Sequence, residues 1–203
     1  PTSPDAVKRW LAFLRNHRDA IAGVDFFTVP TATFRLLYVF FVIHHDRRRI
    51  PQLAVTDHPY AEWVVQQLRE AFPYDSAPRY LILDRDGRFG NVVPDTLRAW
   101  GVKPVRISPR CPWQNGVSER WVLTVRRELL DHVVVFGADH LRRLLRDYLA
   151  YYHEDRCHLS LGKDSPSGRE VMSRPSPAAT VIVLPRVGGL HHRYEWREER
   201  RAA

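Results

Sequence analysis

Two acidic residues stand within or directly after strongly apolar stretches, and this placement constrains the fold more than any other feature of the chain. The run Tyr80–Leu83 is wholly apolar apart from the tyrosine hydroxyl, and Asp84 follows it, with further charges and a glycine next. Such a run is typical of a short buried strand that ends at a carboxylate. Asp25 lies inside a second strand-like run, IAGVDFFTV. Both carboxylates are therefore expected at strand positions.

A third acidic residue, Glu119, stands 35 positions after Asp84 (119 − 84). A loop with two prolines, Asn115 and Gly116 precedes it, and Asn115 is a plausible N-cap for the helix that follows. Glu119 and Arg126 are seven residues apart, about two helical turns, so they share a face of this helix away from its apolar side. An ordinary solvated charge pair would give the same pattern, and that alternative stays open.

The chemistry of Asp25, Asp84 and Glu119 depends on whether they converge. Two unit charges about 4 Å apart repel by about 4 kcal/mol at an effective dielectric constant near 20. A cluster of three carboxylates therefore takes up protons or binds cations. Two Mg²⁺ ions held by shared carboxylates can catalyse an in-line displacement at phosphorus. If the three acids converge, we expect a metal site for phosphoryl transfer.

The charge balance favours a polyanionic partner. The chain has 203 residues and a net charge of +8, and nucleic acid is the commonest partner of such a protein, although a basic protein of unrelated function is the alternative. Cys111 and Cys157 are too few for a disulfide scaffold, which favours a reducing cytoplasm. No apolar run is long enough for a membrane span, so no membrane partner is expected. Because the only methionine is Met172, we expect further residues upstream of Pro1.

The hydrophobic periodicity predicts one α/β domain with a mixed sheet and the order β-β-β-α-β-α-β-α-α. We expect a lead-in helix in residues 1–19, a core in residues 20–161, and a linker with a β hairpin or tail in residues 162–203. The hairpin would turn at Gly188 and Gly189. The predicted strands cover residues 20–29, 34–46, 49–57, 79–84 and 102–108, and the predicted helices of the core cover residues 59–72, 93–100, 116–132 and 138–153.

Four segments of the chain resemble, in order, the catalytic cores of retroviral-type integrases and the related bacterial insertion-sequence transposases. The segments are VDFFTV at Asp25, LDRDGRF at Asp84, SPRCPWQNGVSERWVLTVRRE leading to Glu119, and YLAYYHEDRCHLSL. The resemblance covers about residues 20–161. It implies a ribonuclease-H-like fold, with a five-stranded mixed sheet flanked by helices. It also implies that Asp25, Asp84 and Glu119 are the catalytic residues and the ligands of two Mg²⁺ ions, for which Mn²⁺ could substitute.

The resemblance also implies a surface that contacts DNA. Arg126 stands where relatives carry a Lys or Arg that touches the DNA end, and Asn115 and Gly116 stand in the mobile loop before the catalytic helix. Trp113 could wedge against DNA or simply pack within the loop. Further backbone contacts are predicted for Arg85, Arg106, Arg110, Arg120 and Arg127.

Some positions depart from the family pattern. Relatives usually carry Asn-Gly after the second acid, whereas Asp84 is followed by Arg85, Asp86 and Gly87. Asp86 is thus an alternative second ligand, and Asp84 is preferred because Phe89, five residues on, matches the family's aromatic residue. The spacing to Glu119 is also one residue shorter than usual. A separate zinc site at His153, Cys157, His158 and Cys111 is a further alternative.

Together these features predict a metal-dependent polynucleotidyl transferase that processes the 3′ ends of a mobile element and joins them to target DNA. Because two ends are joined, we expect a homodimer or a higher oligomer, associated with the nucleoid in a bacterial cytoplasm. Two alternatives stay open: a catalytically silent or domesticated DNA-binding core, and a ribonuclease-H-like nuclease. A nuclease of that type would use a further acid, which Asp86 or Glu128 could supply.

Overall fold

The computed structural model describes residues 3–198, and its main feature is the predicted five-stranded mixed sheet. The strands are β1 (Ile21–Pro30), β2 (Leu36–His44), β3 (Gln52–Thr56), β4 (Tyr80–Leu83) and β5 (Lys103–Arg106). Their order in the sheet is β3-β2-β1-β4-β5. The first three strands form an antiparallel meander, and β4 and β5 join it in parallel. The predicted fold class is confirmed.

Residues 3–198 include five α-helices, which follow the predicted order. They are α1 (Pro4–Asn16), α2 (Ala61–Ala71), α3 (Val92–Ala99), α4 (Gly116–Glu128) and α5 (Ala138–Glu154). The helix predicted over residues 116–132 ends at Glu128, because Leu129 leaves the helical conformation and a short 3₁₀ turn, Leu130–His132, follows. The His132 ring is within hydrogen-bonding distance of the Arg127 carbonyl oxygen and stabilises this end.

Apolar side chains cover both faces of the sheet. On one face, Val24 and Leu81 of the central strands pack with Val64 and Leu68 of α2 and Leu97 of α3. On the other face, strand and α1 side chains form a second cluster: Ile21, Tyr80, Ile82, Ile107, Trp10 and Phe13. Side chains alternate along a strand, so Asp25 points to the same face as Ile21 and Phe27. Trp121 of α4 packs against Phe27 on that face, which brings α4 to the side where Asp25 lies.

Gly23 of β1 allows the first turn of α4 to approach the strand closely. A Cβ atom at Gly23 would lie 2.7 Å from the Ser118 hydroxyl oxygen and 3.0 Å from the Asn115 side-chain oxygen. Both groups are buried, so they cannot move aside into solvent. Neither distance therefore leaves room for a methyl group. The α4 N-terminus therefore packs directly on the β1 backbone, two residues before Asp25.

The chain divides into two compact units, residues 1–142 and 143–203. In the second unit, β6 (Thr180–Arg186) and β7 (His191–Arg197) form the predicted hairpin, which turns through Gly188 and Gly189, both with positive φ. The buried carboxylate of Asp155 accepts hydrogen bonds from Arg186 and Arg193 of this hairpin at 2.7 and 3.1 Å.

The domain boundaries predicted after residues 19 and 161 stay predictions. The beginning of the predicted lead-in segment, residues 1–2, and the end of the predicted tail, residues 199–203, lie outside the described residues. Within residues 3–198, no helix combines the length and the apolar character needed to cross a membrane.

The substitution Gly23→Ala is expected to lower the free energy of unfolding by about 1 to 3 kcal/mol, the usual cost of adding a methyl group to a filled interior. Chemical denaturation would measure this change. Because the nearest contact is the Ser118 hydroxyl, the double variant Gly23→Ala/Ser118→Ala is expected to recover part of the loss.

Gly116→Ala is the matched control for this experiment. A Cβ at Gly116 meets no atom within 4 Å, and its φ of −60° suits any residue. This variant should be neutral or slightly more stable. Equal losses of unfolding free energy in Gly23→Ala and Gly116→Ala would show that the close approach at Gly23 does not contribute to stability.

Candidate active site

Asp25 lies in the middle of β1, and its carboxylate is partly buried on the α4 side of the sheet. Its Oδ1 atom accepts a hydrogen bond from the backbone N–H of Phe26 at 2.8 Å, and its Oδ2 atom accepts one from Nδ2 of Asn115 at 3.3 Å. Burial raises the pKa of Asp25 to about 7 against the lowering effect of the Phe26 hydrogen bond, and repulsion from Asp84, Glu119 and Asp86 adds to the rise. The ionised form of Asp25 is therefore poorly stabilised by the protein itself.

Asp84 follows the last residue of β4. Strand β4 runs parallel to β1 with Ile82 opposite Gly23, so the same register continued by two residues sets Asp84 beside Asp25. Its Oδ1 atom accepts the backbone N–H of Asp86 at 2.9 Å. Burial is the main cause that raises the pKa of Asp84, and repulsion from Asp86 contributes. The first acid of the predicted triad thus lies within β1 and the second directly follows the adjacent strand, and Asp84 contributes to the raised pKa of Asp25.

Asp86, the alternative second ligand, is held in a local turn. Its Oδ1 atom accepts the backbone N–H of Arg88 at 2.9 Å, which caps the short 3₁₀ turn Gly87–Phe89, and its Oδ2 atom pairs with the Arg88 guanidinium. That guanidinium also lies over the ring of Tyr38, 4.6 Å from its centroid. Because the guanidinium neutralises the charge of Asp86, whereas the hydrogen bond to Asp84 comes from a neutral backbone N–H, the geometry favours Asp84 over Asp86 as a metal ligand.

Glu119 lies in the first turn of α4 and is exposed. It borders a pocket of about 370 Å³ together with Asp25, Phe26, Arg126 and two apolar residues of α4. The predicted shared face of Glu119 and Arg126 therefore adjoins Asp25. Arg126 donates a hydrogen bond to the Thr28 carbonyl oxygen at 3.0 Å, so it is anchored to β1 at the edge of this pocket.

Asn115 occupies the N-cap position of α4, but its side chain does not cap the helix, which corrects the predicted role. Only 1% of the residue is exposed. Its Nδ2 atom donates to Asp25 and, at 3.4 Å, to the Val24 carbonyl oxygen, and its Oδ1 atom accepts the Ser118 hydroxyl at 2.8 Å. Sequence reasoning did not identify Ser118. The one sequence feature that could have identified Ser118 is its position: it is a small polar residue three positions after Asn115, on the same side of the helix.

The other predicted DNA contacts lie after β4, in β5, in the segment before α4 and in α4 itself. Arg110, Arg120 and Arg127 are exposed, and Arg85 is exposed while its Nε atom donates to the Ile107 carbonyl oxygen at 3.0 Å. Trp113 is 36% exposed. Arg106 donates to the Gly90 carbonyl oxygen at 2.7 Å, and Gly116 is the first residue of α4. The DNA-binding role of these residues stays a prediction.

The donor chemistry of the site suits a hard cation. Asp25, Asp84 and Glu119 offer only carboxylate oxygens, which Mg²⁺ prefers, and burial, with a smaller contribution from the neighbouring acids, raises the pKa of Asp25. Among residues 3–198, however, no three His, Cys, Asp or Glu side chains are grouped closely enough to hold an ion. The three acids thus do not form a ready-made cage, and His153, Cys157 and His158, which belong to the alternative zinc site, are not grouped either.

The substitution Asp25→Asn is expected to stabilise the protein progressively as the pH rises from about 4 to about 8. Between its ordinary pKa of 3.8 and the folded value of about 7, folded Asp25 keeps a proton that the unfolded chain has released, so this residue lowers stability as pH rises. The variant lacks this effect. Its gain over wild type should reach on the order of 2 to 4 kcal/mol, since a tenfold change in proton affinity is worth about 1.4 kcal/mol.

Denaturation of both proteins across the pH range would measure this difference. The comparison cancels other groups, such as His45, whose pKa burial lowers to about 3. The exposed residue Asp75 provides the control, since Asp75→Asn should give no such trend. A constant difference between Asp25→Asn and wild type would contradict the raised pKa.

Comparisons with known proteins agree with the fold. Residues 100–166 match the profile of the integrase core domain family. A chain of the simian T-cell lymphotropic virus intasome, in complex with PP2A regulatory subunit B56 gamma, has a TM-score of 0.59 and 12% identity over 88% of this chain. This chain spans 66% of the length of that one. A search of curated proteins gave no significant match.

Two solved catalytic cores are similar over most of their own length. The HTLV-2 integrase catalytic core domain in complex with magnesium, in its trimeric form, has a TM-score of 0.56 and 10% identity over 73% of this chain and 94% of that one. The BIV integrase catalytic core domain has a TM-score of 0.50 and 16% identity over 73% and 91%. In motif order, family profile and fold, the chain thus resembles an integrase or transposase catalytic core, as its sequence predicts.

Proposed function

We propose that this chain is the catalytic core of a metal-dependent polynucleotidyl transferase that processes DNA ends of a mobile element and joins them to target DNA. The observation that carries the proposal is the placement of the three acids on an integrase-type sheet. Asp25 lies in β1, Asp84 follows the adjacent parallel strand, and Glu119 lies in the α4 turn that packs on β1. Each acid comes from a different element, yet Asp84 and Glu119 both raise the pKa of Asp25, and Glu119 borders the same pocket as Asp25.

In this proposal, Asp25, Asp84 and Glu119 hold Mg²⁺, or Mn²⁺ in its place, most simply as two ions. When bound, such ions activate an attacking oxygen and stabilise a leaving oxygen at phosphorus. The chain's own residues hold the carboxylates in position and supply the negative charge that binds the ions. Strand β1 fixes Asp25 between two neighbouring strands, and the burial that raises its pKa makes a cation the natural counter-charge near neutral pH.

In this proposal, Arg126 orients a DNA backbone at this site. Its side chain lines the same pocket as Asp25 and Glu119, and the hydrogen bond to Thr28 limits its freedom. The exposed residues Arg110, Arg120 and Arg127 would extend the positive surface. Contacts of this kind are made to phosphate groups, so target choice should be loose and binding should weaken steeply with salt.

We further propose that the active form is a homodimer or a higher oligomer in a bacterial cytoplasm, because two DNA ends must be joined. The HTLV-2 integrase core has been solved in a dimeric and a trimeric form. The net charge of +8 on this chain favours assembly on DNA.

A hydrolytic nuclease of the same fold is the second candidate, and one observation favours it. Asp86 lies close enough to raise the pKa of both Asp25 and Asp84, so a fourth acid adjoins the site. Its pairing with Arg88 argues against a direct role in holding a metal. A transferase joins an added DNA end to a target, whereas a nuclease only cuts, and the products therefore distinguish the two.

The substitution Asp84→Asn is expected to reduce Mn²⁺-dependent activity by on the order of 100-fold or more, because the site loses an anionic oxygen ligand. Supercoiled plasmid serves as target and needs no knowledge of the element's ends. Nicking is measured on gels, and joining is measured by transfer of a labelled oligonucleotide with a 3′-OH into the plasmid.

Asp86→Asn is the matched control, since it changes the neighbouring acid in the same loop and is expected to keep activity close to wild type. A greater loss with Asp86→Asn than with Asp84→Asn would assign the second ligand to Asp86. Nicking without any joining by wild-type protein would favour the nuclease. DNA binding without either reaction would favour a catalytically silent core.

A further inference from the structure

The carboxylate of Asp25 is tied to the N-terminal turn of α4 by a short chain of hydrogen bonds. The Ser118 hydroxyl donates to Oδ1 of Asn115, and Nδ2 of Asn115 donates to Oδ2 of Asp25. Ser118 and Asn115 are 0% and 1% exposed, so water does not compete for these groups. Gly23 leaves the space that they fill, because any larger residue there would meet both side chains.

We propose that Asn115 is a positioning residue for Asp25, that Ser118 fixes the orientation of the Asn115 amide, and that Gly23 makes room for both. This inference rests on the proposed metal-dependent function, because it assigns these residues to the preparation of a metal ligand. It differs from the sequence-based prediction, which placed Asn115 in a mobile loop that contacts DNA.

The hydrogen-bond pattern determines which way the amide of Asn115 faces. A side-chain amide has one acceptor end and one donor end, and either could face Asp25. The Ser118 hydroxyl donates to the oxygen end, so the nitrogen end is left for the Asp25 carboxylate and the Val24 carbonyl. Both of these partners are acceptors, and an amide turned the other way would place its oxygen against two oxygens. These two acceptors thus set which end of the amide faces Asp25, and the Ser118 hydroxyl holds the amide in that orientation by donating to its oxygen.

An amide is suited to this role because it is neutral. A carboxylate has about four lone-pair positions on its two oxygens. The Phe26 N–H occupies one position on Oδ1 and Asn115 occupies one on Oδ2, which leaves one on each oxygen for a cation. An arginine or lysine at position 115 would neutralise Asp25 and repel the metal. The asparagine instead restricts the rotation of the carboxylate and keeps its negative charge for the ion.

The arrangement also couples Asp25 to Glu119 through the backbone. Asn115 directly precedes α4, and Ser118 directly precedes Glu119. The bonds that orient Asp25 therefore also fix the helical turn that presents Glu119 beside it. Hydrogen-bond partners of metal ligands commonly change metal affinity by about 10- to 100-fold when they are removed.

The test is a comparison of Mn²⁺ affinity in the full chain without DNA, measured by the electron paramagnetic resonance signal of free Mn²⁺. Asn115→Ala is expected to weaken binding by about 10-fold. Ser118→Ala should weaken it by a smaller factor, since the amide is then only less well oriented. This second variant also keeps the inference testable if Asn115→Ala does not fold. The thermal midpoint of each protein in EDTA measures its stability separately from metal binding.

Gln114→Ala is the matched control from the same loop. Gln114 is buried and its Oε1 atom accepts the Ser108 N–H at 2.6 Å, but no hydrogen bond joins it to Asp25 among the contacts of the described residues. This variant should lose stability in EDTA and keep the wild-type Mn²⁺ affinity. A similar loss of affinity in Gln114→Ala and Asn115→Ala would overturn the inference, because loop packing alone would then explain both.

The two proposals fail in different ways. Unchanged Mn²⁺ affinity in Asn115→Ala and in Ser118→Ala, with normal binding by wild type, would overturn the positioning role and leave the proposed metal centre intact. Wild-type protein that binds no Mn²⁺, alone or with a short DNA duplex, would overturn the metal centre and this inference with it.

Discussion

The close contact between β1 and the first turn of α4 is the constraint on which the candidate site depends. Gly23 has no side chain, so Ser118 and Asn115 reach the strand and α4 packs against the sheet beside Asp25. Trp121, one turn later, fills the space between Phe27 and Phe41 and holds the helix at this distance. Because Glu119 lies between these two contacts, its place beside the Asp25 pocket follows from how the helix packs.

Electrostatic repulsion works against this arrangement and gives the site its chemistry. Burial raises the pKa of Asp25 to about 7, and the acids at positions 84, 86 and 119 each add to the rise. The surrounding hydrogen bonds come mostly from neutral donors, namely the N–H groups of Phe26 and Asp86 and the Asn115 amide. They fix the carboxylates without cancelling their charge. The repulsion between the acids lowers the stability of the protein, and the same uncancelled charge favours the binding of a cation. Such a compromise between stability and function is common.

Particular residues show where sequence reasoning succeeded and where it failed. The apolar runs around Asp25 and before Asp84 are long enough, and different enough from their flanks, to predict β1 and β4. The switch to helical periodicity predicted α2, α3 and α4, but not the end of α4 at Glu128, because the residues after it remain compatible with a helix. Asn115 was interpreted as a cap, since its position is correct for one. Its partner in space, Asp25, is 90 residues away and outweighs the local preference.

By itself the sequence determined the order of the elements, the mixed sheet, and the three acids with their elements, because hydrophobic periodicity and motif order are local properties of the chain. Only the tertiary structure decided how these parts face one another. In the folded protein, Asn115 donates to Asp25, both oxygens of Asp86 contact Arg88, and Arg126 donates to the backbone of β1. Apart from the Asp86–Arg88 pair, these contacts join residues from distant parts of the chain. Their geometry follows from the packing of α4 against the sheet, and no local pattern records it.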